Sequence, residues 1–236
     1  MSVPSALSAR RLRSTAQVIL PFPEPESWLD VGTGDARFPE TAKELFPYTS
    51  FDGLDATPRV EQARRAERVE EAHVGLLTDP QIRMRLRARY DVVSMLHHLP
   101  YAPDPREELH AAVAVLRPGG HLLLEAADPQ CAFAELLGER WLPRARRLRL
   151  LSLDDLCTEL TSQGCTIVGT DRRAAHLPHD LSAALSLCLP RFLPSWSTRP
   201  PLAAAKALDH ALAPLLRLTR FSNTYRLIAR REASAP

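Results

Sequence analysis

The segment LDVGTGD, residues 29–35, places two acids and two glycines within a few positions of one another. Asp30 and Asp35 bracket Gly32 and Gly34, and an apolar run comes immediately before them. Glycines let the backbone turn sharply and come close to a bulky ligand. Two carboxylates beside such a turn would repel phosphate groups and attract a positively charged ligand. The spacing therefore predicts a loop that binds a cationic cofactor, although glycines alone can also mark a simple tight turn.

A third acid, Asp55, follows this loop by about 20 residues, in the segment FDGLDATP. One carboxylate at the end of a strand can accept hydrogen bonds from both hydroxyls of a ribose. The loop has neither the third glycine of the dinucleotide pattern G-x-G-x-x-G nor the G-K-S/T of a phosphate loop. These residues point to S-adenosylmethionine, which contains a sulfonium, an ammonium group and a ribose but no phosphate.

Two adjacent histidines, His97 and His98, follow a strongly apolar segment in SMLHHLP. Adjacent residues at the end of a strand point in different directions, so one could face a substrate while the other packs. Histidine titrates near neutral pH and can take a proton from a hydroxyl or an amine. Both are candidate catalytic residues, although the pair could equally serve only the structure of the loop.

These residues need a scaffold, and apolar segments alternate with helical ones along the chain, which is typical of a parallel sheet with crossover helices. The predicted strands cover residues 28–31, 49–56, 72–77, 90–96, 119–127, about 166–170 and 223–231. Helices are predicted in the leading segment 8–25, at 38–46, 58–72 and 105–116, and after a cap at Ser152.

Two regions are harder to assign. In residues 81–90 arginine alternates with apolar residues, which fits a strand, yet a crossover between strands is needed there and we therefore predict a helix. Residues 180–220 are apolar and interrupted by prolines, and we predict a mainly helical insertion before the last strand. That insertion could cover a substrate cleft or simply pack against the sheet.

Composition sets outer limits on the class of protein. The 236 residues are 45% hydrophobic with a formal net charge of +2, which suits one α/β domain over 1–236 and requires neither a nucleic-acid nor a membrane partner. The four cysteines lack metal-ligand spacing, so we expect reduced thiols, a cytoplasmic location and no metal. No stretch offers the roughly 20 uninterrupted apolar residues of a membrane span.

The motifs LDVGTGDARF, FDGLDATPRV, YDVVSMLHHLP and LRPGGHLLLE resemble, in this order and spacing, those of the class I S-adenosylmethionine-dependent methyltransferases. The resemblance covers Trp28 to Glu125, and LSLDDLCTELTSQGCTIV is similar to a segment of many bacterial small-molecule members. It implies a Rossmann-like α/β fold: a seven-stranded, mostly parallel sheet with helices on both faces and an antiparallel last strand.

The resemblance also implies a set of cofactor-binding residues. The glycine loop would contribute five residues between Asp30 and Asp35, and Asp55 would bind the ribose. Leu76 and Leu77 would border the adenine, and Met95 would lie beside the methionine end. The full set is Asp30, Gly32, Thr33, Gly34, Asp35, Asp55, Ala56, Leu76, Leu77, Met95 and Leu96.

Two departures from the family pattern stand out. Ala36 replaces the third loop glycine of many members, which is tolerable where the backbone does not need a positive φ. Leucine replaces the acid that usually follows the third strand, so adenine would be held by backbone groups or by Asp79.

The implied activity is transfer of a methyl group to an oxygen, nitrogen or carbon nucleophile of a small, apolar acceptor. A macromolecular acceptor such as a protein or RNA is an alternative supported only by an arginine cluster, which could also dock a carrier protein or be a solvated segment. Nucleic acid is disfavoured because no N/D-P-P-Y/F motif follows the fourth strand. A protein that keeps the cofactor pocket without transferring methyl, and a homodimer, also stay open. The cluster consists of Arg140, Arg144, Arg146, Arg147 and Arg149.

Overall fold

One sheet of seven strands organises residues 9–138, 149–172, 175–177, 180–188 and 199–233, the parts of the chain that the computed structural model describes. The strands are β1 (Ser27–Val31), β2 (Ser50–Asp55), β3 (Ala72–Val74), β4 (Tyr90–Leu96), β5 (Leu116–Ala127), β6 (Cys165–Asp171) and β7 (Thr224–Arg231). Their order is β3-β2-β1-β4-β5-β7-β6, and β7 pairs antiparallel with both of its neighbours. The predicted mostly parallel sheet with an antiparallel last strand is confirmed.

Helices connect these strands, as the alternating pattern predicts. They are α1 (Ala9–Ala16), α2 (Arg37–Ala42), α3 (Arg59–Arg65), α4 (Pro80–Leu86), α5 (Pro105–Val115), α6 (Ala132–Leu137), α7 (Leu153–Ser162), α8 (Asp180–Cys188) and α9 (Arg199–Leu216). Among the described residues, no helix combines the length and the apolar character needed to cross a bilayer.

The central strands contribute alternate residues to two hydrophobic clusters. Leu29 and Val31 pack with residues of α5 and α7, whereas Trp28 packs with residues of α1 and α2. Successive side chains of a strand point to opposite faces of its sheet. The helices therefore cover both faces, which confirms the predicted Rossmann-like architecture.

The uncertain segment 81–90 contains the predicted helix, α4, which begins after a cap in which Asp79 accepts a hydrogen bond from the backbone N–H of Gln81 at 2.8 Å. The predicted cap at Ser152 is also confirmed, since its hydroxyl accepts from the backbone N–H of Asp155 at 3.1 Å and starts α7. These short polar side chains satisfy backbone groups that the first turn of a helix leaves unpaired.

Several predicted boundaries are wrong. The helix expected over 38–46 ends at Ala42, and the strand expected over 119–127 begins at Leu116. The helix expected over 58–72 ends at Arg65, because Glu67 turns the chain with a φ of 59° and brings the buried Val69 against Ala36 and Ala63. The third strand was expected over 72–77 but ends at Val74, beyond which the backbone leaves the sheet.

The region 180–220 contains α8 and α9, and residues 189–198 of it lie outside the described part of the chain. Leu181 and Leu216 from these helices pack with Phe133 of α6, and Ala127 at the end of β5 lies against the same cluster. Helices α8 and α9 thus lie beside the carboxyl end of β5. Their role in covering a substrate stays a prediction.

A polar cluster lies near the amino ends of β2 and β4. Ligand atoms of Asp52, Glu71 and His73 lie within 4.8 Å of one another, a spacing that could hold a cation. However, Arg89 pairs with Asp52 at 3.2 Å and Glu71 at 2.6 Å, and Arg85 contacts the His73 ring at 2.5 Å. Burial and Arg85 lower the pKa of His73 to about 4. The arginines supply the positive charge that a metal would otherwise bring.

Candidate active site

The carboxyl ends of β1, β2 and β4 converge on one cavity of about 250 Å³. This edge of an open α/β sheet, where the strand order reverses beside β1, is where ligands commonly bind in such folds. The cavity is lined by Leu12, Asp30, Val31, Gly32, Thr33, Gly34, Asp35, Arg37, Phe38, Asp55, Thr57, Arg59, Leu96, His97, His98 and Tyr101.

The loop after β1 is joined to β2 through its backbone. The N–H groups of Gly32 and Thr33 donate to the carbonyl oxygen of Leu54 at 2.8 and 3.1 Å. Gly32 and Gly34 have φ values of 74° and 54°, in the left-handed region that favours glycine. Ala36 also has a positive φ, 55°, so the condition under which alanine would be tolerable there is not met. Its methyl group instead packs in the core against Ala63 and Val69.

Asp30 is almost fully buried at the end of β1. A chain of hydrogen bonds holds it: the Trp28 indole N–H donates to Ser94 Oγ at 2.9 Å, and Ser94 Oγ donates to Asp30 Oδ1 at 2.6 Å. Burial raises the pKa of Asp30 to about 6, and the Ser94 hydrogen bond works against that rise. At neutral pH the carboxylate is mainly ionised, but burial makes its ionisation less favourable than in water.

Asp35 has its own cation, which the sequence analysis missed. Arg59 reaches across from the start of α3 and donates to Asp35 Oδ1 from Nε at 2.9 Å and from Nη2 at 2.6 Å. Both side chains are exposed to nearly half of their surface. The predicted attraction for a cationic ligand is therefore carried more by Asp30 than by Asp35.

Asp55 lines the same cavity at the end of β2. Its Oδ2 accepts from the Gly34 N–H at 2.9 Å, and its Oδ1 accepts from the Thr57 N–H at 2.8 Å and the Thr57 hydroxyl at 2.6 Å. These contacts fix the side chain and occupy three of the roughly four acceptor positions of a carboxylate, so about one position remains for a ligand hydroxyl.

The two histidines have different surroundings, as adjacent residues at a strand end should. The His98 ring lies against Gly32, where an added Cβ would stand 2.4 Å from His98 Nδ1. On its other side, His98 Nε2 lies 3.0 Å from Oε1 of the buried Glu108. His98 therefore lies between the glycine loop after β1 and α5 and contacts both.

His97 has only 6% of its surface exposed and a φ of 56°, which is uncommon for a residue with a side chain. Its backbone N–H donates to the carbonyl oxygen of Glu125 at 2.7 Å, and its Nε2 lies 3.6 Å from Glu125 Oε2. Unusual backbone conformations of this kind cluster at functional sites. Of the two histidines, His97 is the better candidate for proton transfer.

Most residues predicted from the sequence line the cavity, but four do not. Leu77 and Met95 are fully buried in the hydrophobic core, Leu76 lies in the turn after β3, and Ala56 lies outside the lining. On β4, Leu96 rather than Met95 reaches the cavity because successive residues of a strand point to opposite faces. Asp79, the alternative adenine contact, caps α4. Ligand contacts for all these residues remain predictions.

Several lining residues were missed. Those adjacent to a predicted motif could have been included with it, whereas Leu12 and Tyr101 carried no sequence signal. Most of the arginine cluster, Arg140 to Arg147, lies outside the described residues. The missed residues are Leu12, Val31, Arg37, Phe38, Thr57, Arg59 and Tyr101.

The contact between Gly32 and His98 predicts unequal effects of two alanine substitutions. Gly32→Ala should lower the free energy of unfolding more than Gly34→Ala, because both place a side chain at positive φ, worth about 1–2 kcal/mol, but only the former meets His98. Urea unfolding measures both. In a double-mutant cycle, His98→Ala should recover part of the Gly32→Ala loss. Strict additivity in that cycle would contradict the proposed steric contact.

Comparison with known proteins is consistent with this geometry. A family model described as a methyltransferase domain matches residues 6–170, more than half of the chain. The ubiquinone biosynthesis O-methyltransferase of Alkalilimnicola ehrlichii is 27% identical over 117 residues, which cover 48% of this chain and 47% of that protein. The match to this curated relative thus spans about half of its length.

Solved structures share the fold at low sequence identity. A SAM-dependent methyltransferase from Archaeoglobus fulgidus has a TM-score of 0.63 and 14% identity, with 95% of this chain and 95% of that chain covered. The 4+2 cyclase SpnF has a TM-score of 0.60 and 18% identity, with 94% and 81% covered. The family match and the seven-stranded sheet together lead to one conclusion: the chain belongs to the class I S-adenosylmethionine-dependent methyltransferases.

Proposed function

We propose that this methyltransferase acts on a small molecule and methylates a nucleophile that loses a proton, a hydroxyl or an amine. The observation that carries the proposal is the single cavity in which the loop glycines, two carboxylates and His97 come together. The name of the curated relative, an O-methyltransferase, supports a hydroxyl acceptor in particular.

The residues present fit S-adenosylmethionine. Asp30 and Asp55 offer carboxylates on either side of the glycine loop, one suited to a cationic group and the other to ribose hydroxyls. Gly34 points no Cβ into the cavity, and a Cβ built there would meet nothing within 4 Å. This loop thus leaves open space bordered by acceptors, which suits a cofactor without phosphate groups.

Asp30, Asp55 and the glycine loop would hold S-adenosylmethionine, which would supply a methyl group on a positively charged sulfur together with a neutral thioether leaving group. The chain's own part is to hold the acceptor in line and to remove its proton. His97 lines the cavity and is the candidate that receives this proton. Leu12, Phe38 and Leu96 add an apolar wall, which favours an apolar acceptor and restricts water.

The experiment that tests the function follows a labelled methyl group. The purified protein is incubated with methyl-labelled S-adenosylmethionine and a panel of small phenols, aliphatic alcohols and amines, and separately with protein and RNA fractions. Label in a small hydroxylated or amino product is the expected result. Label in macromolecules would favour the alternative acceptor class, and cofactor binding without any transfer would indicate a methyltransferase fold that serves another purpose.

Cofactor affinity should depend on Asp55. Asp55→Asn removes the charged acceptor for the ribose hydroxyls and should weaken binding of S-adenosylhomocysteine about 10- to 100-fold, since a hydrogen bond to a charged group contributes roughly 1.5–3 kcal/mol. Isothermal titration calorimetry measures the change. Glu61→Gln, at an exposed acid on the neighbouring α3, is the control and should bind as the wild type does. Equal affinities for Asp55→Asn and wild type would refute the ribose contact.

The raised pKa of Asp30 predicts a pH dependence of cofactor binding. A cationic cofactor favours the ionised carboxylate, so its affinity should be highest at pH values well above 6, where Asp30 is ionised. Below pH 6 the affinity should fall by at most about tenfold for each pH unit. Ser94→Ala removes a donor that stabilises the ionised form and should move the fall to higher pH. Asp30→Asn should bind weakly and without this dependence. A wild-type affinity that is constant from pH 7 to 5 would contradict the assignment.

A further inference from the structure

Behind His97 lies a buried carboxylate, Glu125 of β5, with only 1% of its surface exposed. Its Oε1 accepts hydrogen bonds from Arg226 Nε at 2.6 Å and from the Thr15 hydroxyl at 2.8 Å. Its Oε2 accepts from Arg11 Nη2 at 3.2 Å. Three separate elements, α1, β5 and β7, therefore meet at this one side chain.

The surrounding charges keep Glu125 ionised. Burial alone would raise the pKa of this carboxyl, but Arg226 and Arg11 outweigh burial and the pKa is lowered. Arg226 also lies 4.0 Å from Asp171 of β6, and Arg11 donates to the carbonyl oxygen of His176 at 2.9 Å. The charged or titratable groups that act on Glu125 are thus Arg11, Arg226 and His97, while Asp171 lies beside Arg226.

His97 is the one member of this cluster that also lines the cavity. Parallel pairing of β4 and β5 sets Leu96 beside Glu125, and the next residue along the chain, His97, bonds to the Glu125 backbone. The 3.6 Å between His97 Nε2 and Glu125 Oε2 is within ion-pair range and a small side-chain movement from a hydrogen bond. Catalytic hydrogen bonds are often longer in ligand-free proteins.

We propose that Glu125 is a positioning residue for His97: its Oε2 directs the Nε2–H of the neutral imidazole and stabilises the imidazolium that forms when His97 takes the acceptor's proton. This inference rests on the proposed function. With the proton on Nε2, Nδ1 is the nitrogen that can accept a further proton. Arg11 shares Oε2 with His97, so the position of α1 controls how much of the carboxylate is available to the imidazole.

The alternative is that Glu125 only ties α1, β5 and β7 together. The two readings differ in the tautomer and in turnover. Any carboxylate this close to the imidazole shifts its titration, whereas only a positioning role requires the proton on Nε2 and a kcat that follows the titration of His97. An opposite charge within about 4–6 Å typically shifts proton affinity by one to three orders of magnitude.

Nitrogen-15 NMR of the histidine rings, recorded on the cofactor-free protein from pH 5 to 8.5, tests the proposal without an acceptor. His97→Gln identifies the His97 signals among those of the eight histidines. The expected wild-type result is the tautomer protonated at Nε2. Glu125→Gln should lower the proton affinity of His97 about tenfold or more, whereas Arg11→Gln should raise it, because it removes a competing cation.

The matched control is Glu108→Gln, the same change at the buried carboxylate that faces His98. It should move the His98 signals and leave the titration of His97 unchanged. An Nδ1-protonated His97, or a titration midpoint that stays the same in folded Glu125→Gln, would overturn the proposal. If Glu125→Gln does not fold, the Arg11→Gln protein provides the test. An unchanged or lowered proton affinity of His97 in that variant would overturn the proposal.

Once an acceptor is identified, the acidic limb of the kcat profile should shift in the same direction as the NMR titration in each variant, with cofactor affinity unchanged. Failure of the two hypotheses can be told apart. Loss of the NMR effect in a protein that transfers methyl would refute only the positioning role. The NMR effect in a protein that transfers no methyl would refute only the proposed function.

Discussion

The candidate site depends on the hydrogen bonds that join the loop after β1 to the end of β2. Gly32 and Thr33 donate to the Leu54 carbonyl, and Gly34 donates to the Asp55 carboxylate one residue later. These bonds set the distance between the glycine loop and the acid that follows β2. They also require a backbone that turns through positive φ twice within three residues, which is why glycine stands there. His98 then fills the space that a side chain at Gly32 would occupy.

The three acids of the cavity show how surroundings, rather than residue type, decide what a carboxylate can do. Asp35 is paired with Arg59 near the surface, and Asp55 is fixed by Gly34 and Thr57. Asp30 is buried, and its hydrogen bond from Ser94 does not offset the effect of burial. A bound cation would relieve the cost of ionising Asp30 more than that of Asp35. The arrangement therefore concentrates its preference for positive charge at the inner end of the cavity.

Short sequence patterns were enough to predict the strands and the position of the cavity. The period of apolar residues located all seven strands, and the glycine loop with Asp55 located the cavity, since parallel strands bring their carboxyl ends to one edge. Side-chain direction was harder. Met95 and Leu96 are equally apolar, and only the register of β4 decides that the first enters the core and the second reaches the cavity. The early end of α3 likewise depends on the burial of Val69, which no local signal shows.

The least predictable feature is the cluster around Glu125, because the residues that donate to its carboxylate lie 101 to 114 residues from it in sequence. Its physical cost is large: a buried ion pair must recover the desolvation of each charge, and an apolar core of similar volume is often as stable. Stability alone is therefore a poor reason for two arginines and a carboxylate to be buried here. A gain in conformational specificity is a better one, since these charged hydrogen bonds join α1, β5 and β7 at one side chain. That arrangement is the one that sets His97 against the cavity with a carboxylate behind its ring.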